Sequence, residues 1–596
     1  MLRQFLIGGL LALVFAAPAA AQKTTLMPGV TYDRSVQFTP HGPVAMHVVI
    51  GPRPTGLYAL RPVLSNESIL GVERVTAMQK RLSPTATMVG INGDFYAPDT
   101  GRPSGVVMRD GVVDSPPLGD RSSVGVSPEG SIDIRRVEFF GTWRGLGQRR
   151  TLTDMNQAPK QNGISLFTPS YGATTPAQAG VSEIVLQPFA PATPNTDLTG
   201  TVVQFSGVGG TPIPRDGAVL VARGTAAQRL LEEAPIGSSV TIRIILRPEW
   251  SEIADAVGGG PVIVRNGAPV FRANEAFFSY QLAPRHPRTA VGQLADGRIL
   301  MVVVDGRRPG YSVGVTNFEL AQALVRLGAV TASGFDAGGS STLAFNGSLL
   351  NRPSDPGGER PASDSLQLMY YGVYAPTPDP FISPNGDGVA ERQRALSYKV
   401  VRPSNVTATL VGPGDVTALT ETVDRAPGTY PVAFPPAPLD PTLPPVPPAE
   451  GRWRLDVSAT DDLGQTSTTS QSFTVNSTLG FAKLSRRSLV VRVRGKQTIQ
   501  AGVTLTRPAR VLATAETASG VRVASIALRR LEAGRFIARW KGTTLGGRSF
   551  VYGGLYKIRF RATNELGVVE LTTQAFRVIR AAPVPLKKPK PPASSG

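Results

Sequence analysis

The sequence predicts a multidomain chain: an α+β domain with a curved, mostly antiparallel sheet, then two all-β sandwiches. Three observations lead there. A chain of 596 residues exceeds what one hydrophobic core organises. Up to about residue 375, short β-like runs are broken by turn residues, Gly and Pro numbering 64 and 53 in the chain, and helical periodicity is scarce. After Pro376 the pattern turns all-β, and "GRWRLDVSATDDLG" (451–464) realigns with "GLYKIRFRATNELG" (554–567) at an offset of 103 residues, which also carries "FTV" (473–475) onto "FRV" (576–578). A repeat near 100 residues built of alternating strands is the size of one sandwich domain.

Taken in order, residues 1–21 read as a secretory signal peptide. Arg3 supplies the positive start, residues 5–16 the apolar segment, and Ala19-Ala20-Ala21 the small-residue cleavage site before Gln22. An uncleaved anchor fits less well, because the apolar segment is short for a membrane span, and no later stretch reads as a transmembrane anchor. The expected location is secreted or at the cell surface. Residues 22–375 form the α+β domain. Within it "TAVGQLADGRILMVVVDGR" (289–307) reads as strand, Asp296-Gly297 turn and strand. The second strand is almost continuously apolar, hence buried on both faces. "TNFELAQALVRLGA" (316–329) is the clearest helix: Thr316 and Glu319 form a capping box, Phe318, Leu320, Leu324 and Leu327 mark an apolar face, and Gly328 ends it. "LAFNGSLL" predicts a hairpin turning at Asn346-Gly347.

The first sandwich spans 376–475, and proline-rich "FPPAPLDPTLPPVPPAEG" (434–451) is an insertion within it in polyproline form. The second spans 476–580, and the Pro/Lys tail 581–596 is expected to be disordered.

Composition narrows the chemistry. There is no cysteine, so disulfides and thiol catalysis are excluded. The three histidines, His41, His47 and His286, speak against a multi-histidine zinc site; no cofactor is required, and any metal would be a hard, oxygen-ligated ion such as Ca²⁺. The net charge of +19 is uneven: residues 476–596 hold 23 Lys+Arg against 4 Asp+Glu, and the first 475 hold 39 of each. A basic C-terminal domain on an exported protein points to an anionic envelope polymer or phospholipid headgroups as partner rather than nucleic acid.

Four stretches gather polar residues at strand ends or turns: "INGDFYAPDTGRPSG" (91–105), "VGGGPVIVRNG" (257–267), "RHPRTAVG" (285–292) with "VVVDGR" (302–307), and "FDAGGSST" (335–342). Asp94, Asp305 and Asp336 each follow an apolar run, where a buried sheet delivers side chains to a mouth. An Asp-Gly pair alone is a turn; three acids with Arg288, Arg307, Ser340 and Ser341 form a constellation. Asn92 and Asp94 could instead hold a structural cation or fix a loop, His286 could pack or assist proton transfer, and Gly258–Gly260 could be only a tight turn.

In this order, "NGDFY", "GGGPVIVRNG", "HPRTAVG", "VVVDGR" and "DAGGSST" resemble the phosphodiester glycosidase domain family over roughly residues 60–375. The family usually has three glycines after the acid, and this chain has Ala337 in the first place. The resemblance implies hydrolysis of a sugar-1-phosphodiester at the anomeric side. The leaving phosphate has a second ionisation near pKa ~6, so the site needs a cationic clamp and a carboxylate more than a strong acid. Arg288 and Arg307 suit the clamp. Asp305 and Asp336, with Asp94, are the candidate catalytic carboxylates. Backbone N–H groups at Gly338 and Gly339, with Ser340 and Ser341, could cradle an anionic oxygen, and Asn92 and His286 are further substrate contacts.

"DPFISPNGDGVAER" (379–392) resembles the opening of immunoglobulin-like domains of the flagellar hook cap type, and makes both sandwiches immunoglobulin-like by expectation. Asp379, Asn385, Asp387 and Glu391 could ligate Ca²⁺, although no complete EF-hand loop is present and a plain Asn-Gly-Asp-Gly turn competes. The expected function is an exported hydrolase of a sugar-phosphate diester in an envelope glycopolymer, held near it by the basic C-terminal domain. Two alternatives stay open: a glycosidase on unphosphorylated polysaccharide using Asp305 with Asp336, and a non-catalytic wall-binding protein.

Overall fold

A computed structural model describes residues 23–394, 396–436, 447–492, 496–545, 547 and 549–581. The expected signal peptide, the middle of the proline-rich insertion and all but the first residue of the tail lie outside the described residues. The chain divides into two compact units, Met1–Tyr371 and Gly372–Gly596, and both are mostly β.

Among its described residues the first unit contains four sheets where a single curved one was expected. The one that matters most has eight strands, in the order Thr24–Met27, Val30–Thr39, Gly42–Gly51, Ile299–Val304, Arg288–Leu294, Ala329–Gly334, Val262–Arg265 and Ala268–Pro269. All its pairings are antiparallel. The strand Ile299–Val304 is buried along its whole length, as its unbroken apolar run requires. A five-stranded sheet built on Thr87–Asn92 and Asp364–Tyr370 packs across it, with Gly51 lying against Leu368. Two further sheets, of five and eight strands, occupy most of residues 107–258. They close around their own core, with Trp143, Leu166, Ile242 and Trp250 at its centre. Alternation at period two has the same signature in one sheet or in four. The distinction lies in which apolar faces meet, and that is set by long-range packing.

The helix Asn317–Arg326 begins where the capping box placed it. Thr316 accepts from the Glu319 N–H, and the Glu319 carboxylate accepts from the Thr316 N–H. Leu320 and Leu324 are buried with Val302, Val304 and Val315. Phe318 departs from the expected apolar face: it is 39 % exposed and meets Phe271 edge-on, with ring centroids 5.5 Å apart. Asn346 and Gly347 both have positive φ between Leu343–Phe345 and Ser348–Leu349, the backbone that a two-residue hairpin turn demands.

In the second unit the repeated segments occupy equivalent places. Gly451–Asp461 and Gly554–Asn564 are strands of equal length, each hairpinned to the next strand. Phe473 and Phe576 are buried, each in its own core. The acidic turn gives no support to the calcium expectation. Asp387 accepts from the N–H groups of Val389 and Phe481 at 2.8 and 2.7 Å, and Glu391 accepts from the Gly388 N–H at 3.0 Å. Asp379 pairs with Arg394, and the Asn385 amide donates to the Leu479 carbonyl. These oxygens fold the loop instead of facing one point, and among the described residues no group of three or more His, Cys, Asp or Glu is placed to hold a metal ion. No described helix is long and apolar enough to cross a membrane.

The two apolar positions of the helix predict different costs. Leu324→Ala should lower stability in urea unfolding by about 2–5 kcal/mol, whereas Phe318→Ser should cost under about 1 kcal/mol.

Candidate active site

The register of the central sheet gathers the motifs. Arg288, the first residue of its strand, lies opposite Val304, the last of the next; on the other side Ala290 lies opposite Gly334. The segments starting at Arg288, leaving at Asp305 and leaving at Phe335 therefore emerge on one edge of the sheet. The glycine run 258–260 joins them, since Val262 pairs with Ser333. At this edge lies a pocket of about 200 Å³ whose lining includes Asp336, His286, Arg288, Arg307, Gly338 and Thr289. Phe95, Phe277 and Tyr280 form its aromatic side. Asp305, Asp94, Asn92, Gly339, Ser340 and Ser341 are not among the described residues lining it.

Asp336 is the one carboxylate among the described residues that line the pocket. Its Oδ1 accepts the Ala337 N–H at 2.8 Å, and its backbone carbonyl accepts the Asn92 amide at 2.9 Å. Burial raises its pKa above the ordinary carboxylate range, and Ser340, the Ala337 N–H, Arg360 and Arg121 only partly oppose that rise. The Ser340 hydroxyl is buried and short of an ideal hydrogen bond, yet lies close enough to Asp336 to favour its charged form. Protein surrounds this carboxyl, but its residue keeps part of its surface open.

Arg307 is exposed and has no carboxylate partner among the described residues. It holds φ at +57°, a conformation that costs a non-glycine residue of order 1 kcal/mol. Its Nε donates to His286 Nδ1 at a long 3.4 Å, which makes Nδ1 the acceptor and leaves the His286 proton on Nε2. Burial, then Arg307 and Arg288, lower the His286 pKa, so its ring is neutral at pH 7.

Of the anion cradle expected after Asp336, the Gly338 N–H is already engaged within the protein. The Gly338 N–H is donated to the Pro287 carbonyl at 3.0 Å. Gly338 has φ of +72°, and a Cβ there would stand 2.8 Å from the Arg307 guanidinium; one on Gly339 would collide with Arg360 and Asp355. The missing side chains admit two arginines onto the loop.

Arg288 is a builder as well as a wall of the pocket. Its guanidinium donates to the carbonyls of Val315, Gln281, Leu282 and Pro284 at 2.6 to 3.2 Å, which fixes the segment 281–284 over the pocket and leaves little capacity to clamp a phosphate. Asp305 is likewise engaged elsewhere. It accepts from His47 at 3.0 Å, Tyr311 at 2.7 Å, the Asn351 amide at 3.0 Å and the Arg352 N–H. Burial would raise its pKa, but these donors outweigh burial and hold it below the ordinary value. Asp305 is thus an ionised hub from which the Arg307 turn departs. Asn92 bridges the two sheets, accepting from Thr289 at 2.8 Å and the Thr342 N–H at 3.0 Å while donating to Asp336.

Asp94 is buried, accepting from the N–H groups of Gly105 and Phe95 at 2.6 and 2.7 Å. Asp364, which no sequence motif singled out, accepts the Asp94 N–H at 2.8 Å. Gly93, Gly105 and Gly258 close around this pair so tightly that a Cβ on any of them would press on a carboxylate. Burial raises both pKa values, and for Asp94 the nearby Asp364 raises it further. The aromatic side was also missed, although the run "NEAFFSYQL" (274–282) carried a signal in three aromatics over four residues.

Residues 193–369 match the family model of phosphodiester glycosidases. The chain is 38 % identical over 86 residues to the SPbeta prophage-derived uncharacterized protein YomE of Bacillus subtilis (strain 168), a stretch covering 14 % of this chain and 13 % of that one. It is 38 % identical over 68 residues to N-acetylglucosamine-1-phosphodiester alpha-N-acetylglucosaminidase of Bos taurus, covering 11 % and 12 %. The chain thus matches about an eighth of the length of these curated relatives. The structure superposes on that of a hypothetical protein from Synechocystis with a TM-score of 0.51 and 24 % identity, over 60 % of this chain and 64 % of that one, a likeness of fold.

The buried acid pair makes a pH prediction. Both folded values lie above the unfolded ones, so the pair favours the folded state fully below about pH 4. That advantage is lost as pH rises through apparent values of about 6 and about 8. Wild-type melting temperature should fall across this range, and Asp364→Asn should flatten the fall.

Proposed function

We propose that this protein is an exported hydrolase that cleaves a sugar-1-phosphodiester at the anomeric carbon. One observation carries the reading: the one carboxylate among the described lining residues, Asp336, shares a small pocket with Arg307, whose guanidinium has no described carboxylate partner, and with the neutral imidazole of His286. The phosphodiester glycosidase match over the segment that contains all three supports it. In the proposed reaction, water bonds to the anomeric carbon as the carbon–oxygen bond to phosphate breaks, and Asp336 takes the proton that water gives up. The bonding electrons leave on the phosphomonoester, which Arg307 neutralises and the His286 Nε2–H hydrogen-bonds. A carboxyl with a raised pKa accepts a proton near neutrality better than an ordinary aspartate.

The reading as a glycosidase of unphosphorylated polysaccharide has less support. That chemistry calls for a second carboxylic acid beside the first, and Asp305, its expected supplier, is committed to His47, Tyr311 and Asn351.

We read the two sheet pairs of the second unit as immunoglobulin-like sandwiches and the last as a tether to anionic envelope polymer. On its solvent face Arg510 pairs directly opposite Arg530, both exposed and without carboxylate partners among the described residues. Like charges directly opposed on a sheet are destabilising, and a polyanion would relieve that cost.

Three measurements test these readings. Incubation with a panel of sugar-1-phosphodiesters should release both free sugar and phosphomonoester, and the matching alkyl glycosides should stay intact. Asp336→Asn should lower kcat by about 10²–10⁴ with little change in KM. It should also abolish an acid limb whose midpoint, because the Asp336 pKa is raised, lies above the ~3.9 of a free aspartate. Separately, Arg510→Ser with Arg530→Ser should weaken sedimentation with cell walls at low salt and make no difference at high salt, where screening removes the attraction.

A further inference from the structure

The loop of residues 95–105 borders two cavities. Phe95 lines the candidate catalytic pocket, whereas Arg102 and Ser104 line a second cavity of about 370 Å³, and no described residue lines both. The loop is braced between them, the Ser104 N–H donating to the Phe95 carbonyl at 2.8 Å.

Arg102 reaches the second cavity with most of its hydrogen-bonding capacity unspent. Its Nε donates to the Asn156 carbonyl at 3.2 Å, and its two Nη groups have no hydrogen-bond partner among the described residues. Burial lowers its pKa, so the guanidinium is partly withdrawn from water. Asp154 lines the same cavity. Its carboxylate likewise has no described hydrogen-bond partner, and burial raises its pKa. Each feels the charge of the other, yet they do not close into an ion pair. Opposite charges desolvated for stability alone would make contact, because their attraction repays desolvation only at good geometry. Held apart across a cavity, they leave donors on one side and acceptors on the other.

Those charges decide the chemistry of an occupant. An anion on Arg102 would face Asp154 and, at the rim, exposed Glu138; a cation on the acids would face Arg102. Lys160 also acts on Asp154, from outside the described lining. A hydroxyl both donates and accepts, so neighbouring hydroxyls on an uncharged group satisfy the guanidinium and the carboxylate together. Pro116, Pro117 and Phe139 add an apolar wall, suited to the C–H face of a ring. The volume stands at the lower end of the roughly 300–1,000 Å³ of small-molecule sites, which is room for one such ring.

We propose that this cavity is a second carbohydrate-binding site, separate from the catalytic pocket, in which an uncharged sugar ring lies between Arg102 and Asp154 against the Phe139 wall. It binds without cleaving. The protein thereby holds a glycan at a sugar that bears no phosphate, whether or not the other pocket hydrolyses a phosphodiester.

The test is a saturation-transfer magnetic resonance titration of the full chain. Its probes are methyl glycosides of neutral hexoses and of N-acetylglucosamine, with methyl glucuronide, methyl glucosaminide and ribitol as the anionic, cationic and open-chain comparisons. The neutral glycosides should bind, and the other three more weakly. Arg102→Ala should weaken the neutral glycosides roughly tenfold or more, since two charge-assisted hydrogen bonds are lost. Arg102→Lys, which keeps the charge but loses the fork, should restore little of that. Asp154→Asn removes no described hydrogen bond of its side chain, so the melting temperature should hold while the glucuronide gains on the neutral glycosides. Asp336→Asn should leave this binding unchanged, and Arg102→Ala should leave turnover of a small sugar-1-phosphodiester unchanged, which separates the site from the hydrolase reading. Three results would overturn it: no binding of any neutral glycoside, binding lost with Asp336→Asn rather than with Arg102→Ala, or ribitol or the glucuronide binding wild type as tightly as the neutral glycosides.

Discussion

The site depends on the side-chain amide of Asn92. Its oxygen accepts from Thr289 on the central sheet and from the N–H of Thr342, and its nitrogen donates to the backbone of Asp336. One buried residue at the end of a strand of the second sheet thereby fixes three segments that the chain order keeps far apart. A buried amide has few alternatives, since each unmade hydrogen bond costs about 1–3 kcal/mol. The position of Asp336 relative to the strand that begins with Arg288 is therefore set by polar satisfaction as well as by register. Sheet pairing brings the loops to one edge; Asn92 decides their spacing there.

Four aspartates gather in this part of the molecule, and their surroundings give them different charges. Asp305 is buried but surrounded by donors, so it stays ionised below the ordinary range. Asp94 and Asp364 are buried beside each other and both rise. Asp336 rises as well, but it alone borders open space. Burial is common to all four. What separates them is the number of donors in reach and the sign of the nearest charge. A carboxylate with four donors is a framework element, and one with a raised pKa beside a cavity is available to take a proton.

Local features were legible in the sequence because short-range physics sets them. The capping box at Thr316 and Glu319, the Asn346-Gly347 turn and the doubly buried strand of residues 299–304 depend on neighbours a few positions away. The repeat at 103 residues was legible because two copies of one pattern corroborate each other. The ordered motifs did identify the segments that supply the pocket. Less legible was which atom of each motif faces it. Arg288 reads as an anion clamp until its guanidinium is seen among four carbonyls. The glycines of the "DAGGSST" turn read as room for a ligand, and that room is taken by Arg307 and Arg360. Phe318 has helical periodicity in its favour, yet it sits at the margin of the buried face, where a few tens of degrees decide exposure. Asp364 has no motif, because its partner is 270 residues away in the chain.

That one pocket carboxylate can suffice follows from the leaving group. An ordinary glycoside expels an alkoxide and needs an acid to protonate it as the bond breaks. A phosphomonoester already leaves as a stabilised anion, its second ionisation near ~6, so a fixed positive charge does the work that a proton would otherwise do. Arg307, exposed and unpaired with any described carboxylate, offers that charge at no desolvation cost until the substrate arrives. A second acid in the same small cavity would work against the site, raising the Asp336 pKa further and repelling the phosphate. Keeping Asp305 out of the pocket and hydrogen-bonded to His47, Tyr311 and Asn351 is thus consistent with the proposed chemistry, and a polysaccharide hydrolase would have reason to place it the other way.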